Sequence, residues 1–269
     1  MEAKVARLHE ALRALGGVVV AFSGGVDSAY LLAAAHDILG RDGCVGATAV
    51  SPSLARDELA VARRTAAFIG ARHVVVETTE YDDPRYRRND LQRCYFCKHA
   101  LFARLEALAA ELRLPALAYG ANVDDLGDFR PGMRAAGEFA VRAPLLDAGL
   151  TKEEIRTLAR ARGLEVWDKP ASPCLASRIP HGTPVTFAAL RQVEDGERIL
   201  HGLGFCEVRV RYHGEAARIE VPPAEIGRLR QVAAQVEAAL RACGFTEVVV
   251  DPRGLRSGAL PAAAAEPPP

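Results

Sequence analysis

Residues 18–28 read VVVAFSGGVDS, an apolar run followed at once by a loop of small polar residues. The apolar run predicts a buried strand, and SAYLLAAAHDILG, which overlaps the end of the loop, predicts a helix that ends at Gly40. Glycines, hydroxyls and a carboxylate pack no hydrophobic core, so this loop is typical of a place where a ligand approaches the backbone. Backbone N–H groups at the start of a helix favour an anion, and a phosphate suits them.

The rest of the first half alternates between strands and helices. Apolar runs at CVGATAV, HVVVET and ALAYG predict further strands, and helices are expected at about 54–69 and 95–112. This alternation predicts an α/β fold, a doubly wound parallel sheet covered on both faces. Ligands of such sheets bind beyond the carboxyl ends of strands, where the glycine-containing loop lies.

The second half predicts a different organisation. Residues 121–150 are expected to be irregular, TKEEIRTLARARG predicts a helix capped by Thr151 and Glu154, and the later helix-strand-strand-helix-strand order predicts a smaller C-terminal α+β domain. The expected divisions are a nucleotide-binding domain (1–170), a cysteine-bearing linker loop (171–185), a domain for substrate binding or oligomerisation (186–257) and a disordered tail (258–269).

The charge balance argues against two classes of partner. The chain has 34 basic and 34 acidic residues and no run of roughly 20 apolar residues, so neither nucleic acid binding nor membrane insertion is expected. The N-terminal residues predict an amphipathic helix rather than a signal peptide, and a cytoplasmic location is expected. The six cysteines are then not expected to form disulfides, and Cys44, Cys206 and Cys243 are expected to be buried in apolar runs.

The hexapeptide SGGVDS at 23–28 resembles the PP-loop of the ATP pyrophosphatases, which split ATP into AMP and pyrophosphate. It is not a Walker A loop, because no Gly-Lys-Ser/Thr follows. The resemblance implies an adenine nucleotide alpha hydrolase-like fold and an enzyme that adenylates a substrate oxygen before nitrogen or sulfur displaces AMP. It places Thr48 and Ser51, at the end of the second strand, beside the adenosine. The residues that it implies for binding the β,γ-phosphates with Mg²⁺ are Ser23, Gly24, Gly25, Asp27 and Ser28.

Three cysteines lie outside the apolar runs: Cys94 and Cys97 in RCYFCKHALF, and Cys174 in SPCLASRIPHG. One C-x-x-C motif is typical of a redox pair or half a zinc site, or it arises by chance. A closed zinc site needs four ligands, which the three thiols and either His99 or His181 would supply. Three thiolates also suit a [4Fe–4S] cluster whose fourth iron lacks a protein ligand and is open to a hydrosulfide. The spacing leaves these alternatives open.

A wider resemblance covers nearly the whole chain apart from the tail. WDKPASPCLASRIPHGT (167–183) and VRVRYHGEAARIEV (208–221) are similar to the LarE family of ATP-dependent sulfur transferases, which act in nickel-pincer nucleotide synthesis. The resemblance implies a pyridinium dicarboxylate mononucleotide as the small-molecule substrate, whose carboxylates become thiocarboxylates, and a homo-oligomer. One form of the family sacrifices a cysteine at the position that matches Cys174. The other has two more cysteines and carries sulfur on a [4Fe–4S] cluster, and Cys94 and Cys97 match that form.

Charged residues of the second half are candidates for substrate binding. Cys174, the expected catalytic cysteine, lies near Arg178 in the sequence, and that cation favours a thiolate; the alternative is a buried loop cysteine. Arg209 and Arg211 alternate along one predicted strand, so both face the same side and either bind a phosphate or form a solvated face. The residues expected to bind or orient the substrate are Arg178, Arg209, Arg211, Glu197 and Glu220.

Two other functions stay open at this stage. Thiolation of tRNA uses similar loops but needs a cationic surface, which the neutral charge balance does not favour. A regulatory module that binds a nucleotide without catalysis is the other alternative, and release of pyrophosphate from ATP would exclude it. Asn122, Asp124 and Asp125 follow a strand end, where they either contact substrate or metal or cap a helix.

Overall fold

A computed structural model of the chain describes residues 1–127 and 131–255. The tail predicted to be disordered, 258–269, lies outside these residues. The helices are α1 (Glu2–Leu15), α2 (Val26–Gly43), α3 (Arg56–Ile69), α4 (Pro84–Arg87), α5 (Arg93–Leu112), α6 (Pro131–Glu138), α7 (Pro144–Asp147), α8 (Lys152–Ala161), α9 (Phe187–Gly202), α10 (Ile226–Gln231) and α11 (Ala233–Ala242). The strands are β1 (Val18–Ala21), β2 (Cys44–Val50), β3 (Arg72–Glu77), β4 (Ala116–Tyr119), β5 (Arg209–His213), β6 (Ala216–Glu220) and β7 (Glu247–Val250).

The chain forms two compact units. The first contains Met1–Asp83 and Gln92–Ser172, and the second contains Pro84–Leu91 and the chain from Pro173 onward. The short segment Pro84–Leu91 therefore leaves the first unit and returns to it. Its Asn89 is fully buried, and the Asn89 amide nitrogen donates to the carbonyls of Pro180 and Thr183, both at 2.8 Å.

The first unit is built on a parallel sheet with the strand order β3-β2-β1-β4. Strand β1 pairs in parallel with β2 on one side and with β4 on the other. The predicted doubly wound α/β fold is confirmed. Because the chain moves from β1 toward β2 and later returns to the other side, a topological switch point lies at the carboxyl ends of β1 and β4.

Alternate residues of β1 face opposite sides of this sheet. Val18 and Val20 belong to a core cluster with Leu31 of α2, while Val19 belongs to a second cluster with Phe102 of α5. Since both faces bury apolar side chains, the strand is apolar throughout, as in other parallel sheets.

Residues 121–150 are less irregular than predicted. Two short helices, α6 and α7, form within this stretch, each beginning at a proline. Ala135 and Ala136 of α6 are buried in the cluster that contains Phe102. Proline suits the first position of a helix, and packing of small apolar residues stabilises a segment whose polar composition suggested a loop.

The thiol of Cys44 provides a test of this core. It is fully buried on β2, and burial raises its pKa to about 11 from 9.0. A buried acid with a raised pKa stabilises the fold at low pH, and this contribution is lost as pH rises from the unfolded pKa toward the folded one. We therefore compare the free energy of unfolding of the natural chain with that of Cys44→Ala. The value for the natural chain minus the value for the variant should be about 1.4 kcal/mol smaller at pH 10 than at pH 7.5. Urea unfolding at the two pH values measures this, and an advantage independent of pH would contradict it.

The second unit contains a mixed sheet, in which β5 and β6 are antiparallel and β6 and β7 are parallel. Val210 of β5 and Ile219 of β6 are buried in a cluster with Leu240 of α11. The alternation along β5 therefore places Arg209 and Arg211 on the face opposite this core. The second helix of the predicted helix-strand-strand-helix-strand order is interrupted, because Val232 leaves helical geometry between α10 and α11.

All six cysteines are free thiols. Cys44 is buried as predicted, but Cys206 is exposed, which corrects the expectation drawn from its apolar neighbours. Cys206 precedes β5 by three residues and lies outside the strand whose alternation would have buried it. None of the described helices combines the length and the apolar composition that crossing a membrane requires.

Candidate functional site

The loop between β1 and α2 is held in shape by its own hydroxyls. Ser28 Oγ donates to the carbonyl of Gly25 at 3.0 Å and accepts from the N–H of Ser23 at 3.2 Å. The N–H of Gly25 donates to Ser23 Oγ at 3.3 Å. Gly25 is the N-cap residue of α2, which is interrupted at Gly40, where φ is +73°. The loop therefore presents its backbone at the N-terminus of a helix, where an anion is favoured.

Two glycines allow the close approaches that this turn requires. Gly24 has φ +75°, and a Cβ there would lie 3.0 Å from Ala62 Cα in α3. A Cβ on Gly120, which follows β4, would lie 2.9 Å from the nitrogen of Ser28. The loop and the end of β4 thus meet at the switch point with no room for side chains between them.

Replacing Gly24 with alanine is expected to cost about 3 kcal/mol in free energy of unfolding, from the left-handed backbone and the contact with helix α3. Gly25→Ala is the matched control, because Gly25 has φ −80° and its Cβ would meet only Ser23 Oγ at 3.4 Å. That change should cost about 1 kcal/mol or less. Urea unfolding of both variants checks the prediction, and equal stabilities would contradict it.

Asp27 is bound by two residues that are distant in the sequence. Its Oδ2 forms an ion pair with Nζ of Lys152, and its Oδ1 accepts from the amide of Asn122 at 3.3 Å. Asn122 is buried, and its own Oδ1 accepts from the N–H of Asp124 at 2.9 Å. Asp124 in turn accepts from the backbone N–H of Lys152, the first residue of α8. A cation is therefore held at the turn between β1 and α2.

Sequence reasoning did not assign a role to Lys152. The signal available was that Lys152 is one of only four lysines among 34 basic residues and begins a capped helix. Of the two roles expected for Asn122 and Asp124, the hydrogen bonds match the second: Asp124 caps α8 through the N–H of Lys152, and Asn122 positions Asp27.

The end of β2 approaches the same turn. Thr48 is buried, and its Oγ1 donates to the carbonyl of Phe22 at 2.7 Å and lies 2.8 Å from Nε2 of His73. Burial, with the nearby cation of Arg63, lowers the pKa of His73. Thr48 thus fixes the end of β2 against β1, and Ser51 lies just beyond the strand, half-buried.

Cys94 and Cys97 lie in the first turn of α5, on neighbouring positions of one helix face. Cys94 is exposed and Cys97 is half-buried. The guanidinium of Arg93, which is buried, has its Nη2 3.9 Å from the sulfur of Cys94. Arg93 therefore donates a weak hydrogen bond to the sulfur of Cys94.

The alternative zinc ligands have other contacts. The ring of His99 lies 5.0 Å from that of Phe139, and Nδ1 of His181 lies 3.2 Å from the carbonyl of Asn89. Within residues 1–127 and 131–255, no three His, Cys, Asp or Glu side chains gather in a way that would hold a metal ion.

In the second unit, Cys174 is exposed and caps the short 3-10 helix Leu175–Arg178. The alternative of a buried loop cysteine is therefore wrong. The N–H of Ser177 donates to the carbonyl of Cys174 at 2.9 Å, which closes the turn.

Arg178 and Glu197 form a buried ion pair beside this turn. Nε of Arg178 donates to Oε1 of Glu197 at 2.8 Å, and Nη2 donates to Oε2 at 2.9 Å. The side chains are 3% and 9% exposed. Oε1 of Glu197 also accepts from the N–H of Val210 at 3.0 Å, so the pair links α9 to β5.

The other predicted arginines lie on the same strand. Nε and Nη2 of Arg211 donate to Oε2 of Glu220 at 3.0 and 2.8 Å. Arg211 is only 7% exposed, so the alternative of a freely solvated strand face is wrong for this residue. The pKa of Arg209 is lowered, first by burial and then by the cations of Arg178 and Arg211. A bound anion would relieve this repulsion.

Apart from Cys94 and Cys97 on α5, the predicted residues form two groups, one in each unit. In the first unit, the loop 23–28 lies beside Lys152 and Asn122, which bind Asp27, and beside the end of β2. The second unit brings together the turn of Cys174 and three arginines with two glutamates.

The chain is similar to a known family and to several known proteins. Residues 6–95 match the asparagine synthase family. The chain is 38% identical over 256 residues to the pyridinium-3,5-bisthiocarboxylic acid mononucleotide synthase of Lactiplantibacillus plantarum, covering 95% of this chain and 92% of the relative. It is 40% identical over 262 residues to an uncharacterized protein of Synechocystis sp., covering 97% of each chain. An uncharacterized protein of Methanocaldococcus jannaschii is 24% identical over 234 residues, 87% of this chain and 88% of the relative.

The match to asparagine synthase covers the loop 23–28, while the similarity to the Lactiplantibacillus relative extends over both units. The first match supports the use of ATP, and the second, over 95% of the chain, supports sulfur transfer. The chain therefore belongs to the LarE family of PP-loop enzymes and is an ATP-using sulfurtransferase.

Proposed function

We propose that the enzyme adenylates a carboxylate of a pyridinium dicarboxylate mononucleotide and converts it to a thiocarboxylate for nickel-pincer cofactor synthesis. The observation that carries this proposal is the exposed thiol of Cys174 on an arginine-held turn, in a chain whose first turn is built for a triphosphate. The name of the Lactiplantibacillus relative, which describes a bisthiocarboxylic product, supports the substrate class.

The first step takes place at the loop 23–28. Its backbone and hydroxyls would hold the β,γ-phosphates, and the end of β2 from Thr48 to Ser51 would border the adenosine. A carboxylate and phosphate oxygens are the donors that Mg²⁺ prefers, so Asp27 fits a magnesium ion carried by ATP. Lys152 would then stabilise the charge on the departing pyrophosphate. The substrate carboxylate attacks the α-phosphorus and forms an acyl adenylate.

The second unit would bind the mononucleotide. Arg209 and Arg211 share one face of β5. Arg209 would contact the phosphate, while Arg211, bonded to Glu220 and to the carbonyl of Ser177, would orient the site. Planar guanidinium groups bind phosphates in two-point contacts, which suits the phosphate of a mononucleotide.

The sulfur would come by way of the three cysteine thiols. Cys94, Cys97 and Cys174 are three soft ligands of the kind that a [4Fe–4S] cluster takes, and they would be its ligands in this proposal, although the described residues contain no three ligating side chains already placed to hold a metal ion. When bound, the cluster would supply sulfide. In the sacrificial alternative, the sulfur of Cys174 attacks the acyl carbon, AMP leaves, and elimination across the Cα–Cβ bond releases the thiocarboxylate and leaves dehydroalanine.

Protein purified under argon tests these steps. Iron and acid-labile sulfide are measured, and the protein is then given ATP, Mg²⁺, pyridinium-3,5-dicarboxylate mononucleotide and sulfide. Formation of AMP, pyrophosphate and thiocarboxylate over several turnovers supports the cluster form. A single turnover with iron-free protein that loses H₂S at Cys174 supports the sacrificial form. Absence of both pyrophosphate and thiocarboxylate would overturn the proposal.

Two broader features belong to the same proposal. The cytoplasm is the expected location, because reduced thiols and ATP are both available there. A homo-oligomer is expected from the family resemblance, and sedimentation velocity of the full chain would measure it.

A further inference from the structure

We propose that Arg178, held by Glu197, is a positioning residue that fixes the turn carrying Cys174, instead of a ligand of the substrate. The inference deepens the proposed function, since it concerns the thiol through which sulfur is delivered. It differs from the sequence prediction that Arg178 and Glu197 contact the substrate, and the two roles give different experimental results.

The guanidinium of Arg178 is directed at the turn itself. Its Nη1 donates to the carbonyl of Pro173, and it lies 3.2 Å from the carbonyl of Cys174 and 3.0 Å from Oγ of Ser177. Its Nε and Nη2 are bonded to Glu197. Each of its three nitrogens thus has a protein partner, and the side chain is 3% exposed.

Only arginine has the shape to make these contacts together. Its planar fork binds a carboxylate on one side and backbone carbonyls on the other, whereas the ammonium of lysine is a single point of charge. Glu197 adds a second constraint, because it also accepts from Val210 in β5. The position of Arg178 is therefore set by a helix and a strand, which are rigid elements.

A second arginine secures the same turn. Nη1 of Arg211 donates to the carbonyl of Ser177 at 3.0 Å, and Glu220 holds that arginine in place. The carbonyls of Pro173, Cys174 and Ser177 are consequently all bonded to arginine side chains. The backbone is fixed while the thiol stays exposed. A reacting group held in a fixed geometry gains much of its rate from orientation alone.

Hydrogen exchange of the free, full-length protein is the direct test. The N–H of Ser177, bonded to Cys174, reports opening of the turn. In the Arg178→Lys and Glu197→Gln variants, the exchange rate of this amide should be at least about tenfold higher than in the natural chain, because charge-assisted hydrogen bonds are lost. Arg198→Gln is the matched control on the same helix, because Arg198 pairs with Asp195 and is 61% exposed. In Arg198→Gln, the exchange rate of the Ser177 amide should equal that of the natural chain.

Kinetics separate positioning from a structural role. In the folded variants, kcat for thiocarboxylate formation should fall about tenfold, while KM for the mononucleotide and ATP–pyrophosphate exchange stay within about twofold. Thermal unfolding confirms that a variant is folded, and Glu197→Gln, which keeps the side-chain shape, decides the matter if Arg178→Lys does not fold.

Unchanged exchange at Ser177 in the folded variants would overturn the inference. A raised KM with an unchanged kcat would also overturn it and would favour direct contact with the substrate. The exchange experiment contains no substrate, so its result stands even if the proposed reaction is wrong. A failed assay of the natural chain, by contrast, would count only against the proposed function.

Discussion

Replacing Cys174 with alanine is expected to reduce thiocarboxylate formation by at least about a thousandfold, because the variant lacks the thiol required by both forms of sulfur delivery. ATP–pyrophosphate exchange should stay close to that of the natural chain, since adenylation is assigned to the loop 23–28 in the first unit. Mass spectrometry of the product and radiolabelled pyrophosphate exchange measure the two activities separately.

Cys206→Ala is the control for this prediction. Cys206 is another exposed cysteine of the second unit, and it has no assigned role. The Cys206 variant should form product at the natural rate. Product formation by Cys174→Ala near the natural rate would show that sulfur reaches the acyl adenylate without this thiol.

Comparison with Cys94→Ala then separates the two forms of delivery. If the sulfur of Cys174 is sacrificed, this variant should still complete one turnover, because Cys94 takes no part. If sulfide is carried on a cluster, the variant should have lost its iron together with its activity.

The second large effect is expected from Lys152→Met, which should slow ATP–pyrophosphate exchange by about 10²–10³-fold. Removal of a single preorganised charge or donor at a reacting oxyanion typically has an effect of this size. Methionine keeps much of the side-chain volume, so the change isolates the charge. Stability should change little, because the Lys152–Asp27 pair is 37% and 22% exposed at its two side chains and such pairs contribute roughly 1 kcal/mol or less.

Lys4→Met is the matched control. Lys4 also pairs with a carboxylate in the first unit, Glu154 of the same helix α8, at 2.7 Å, and its side chain is 29% exposed. The Lys4→Met substitution removes one positive charge and one ion pair, as Lys152→Met does, but it leaves the contacts of Asp27 unchanged. Equal exchange rates in the Lys4 and Lys152 variants would contradict a role for Lys152 in pyrophosphate release.

Much of the fold could be predicted because its signals are local. The apolar run of β1, the glycines after it and the capping box of Thr151 and Glu154 each lie within a few residues, and the structure contains all of them. The same holds for the start of α5, where the C-x-x-C motif lies and Cys94 is exposed. Local patterns failed where packing decides, as in α6, whose alanines are buried against Phe102.

The sequence by itself determined the parallel sheet, the phosphate-binding turn after its first strand and the identity of the candidate sulfur-carrying thiols, because strand period, loop chemistry and motif are properties of neighbouring residues. Only the tertiary structure decided which charges meet. Lys152 reaches Asp27 across 125 residues, and Asn89 binds the carbonyl of Pro180 across 91. Arg178 belongs to the turn of Cys174 because Glu197, which also accepts from the N–H of Val210, holds it there. These partners come from elements that are distant in the sequence and are brought together by packing. A buried charge without a partner is strongly destabilising, so the fold has to supply one.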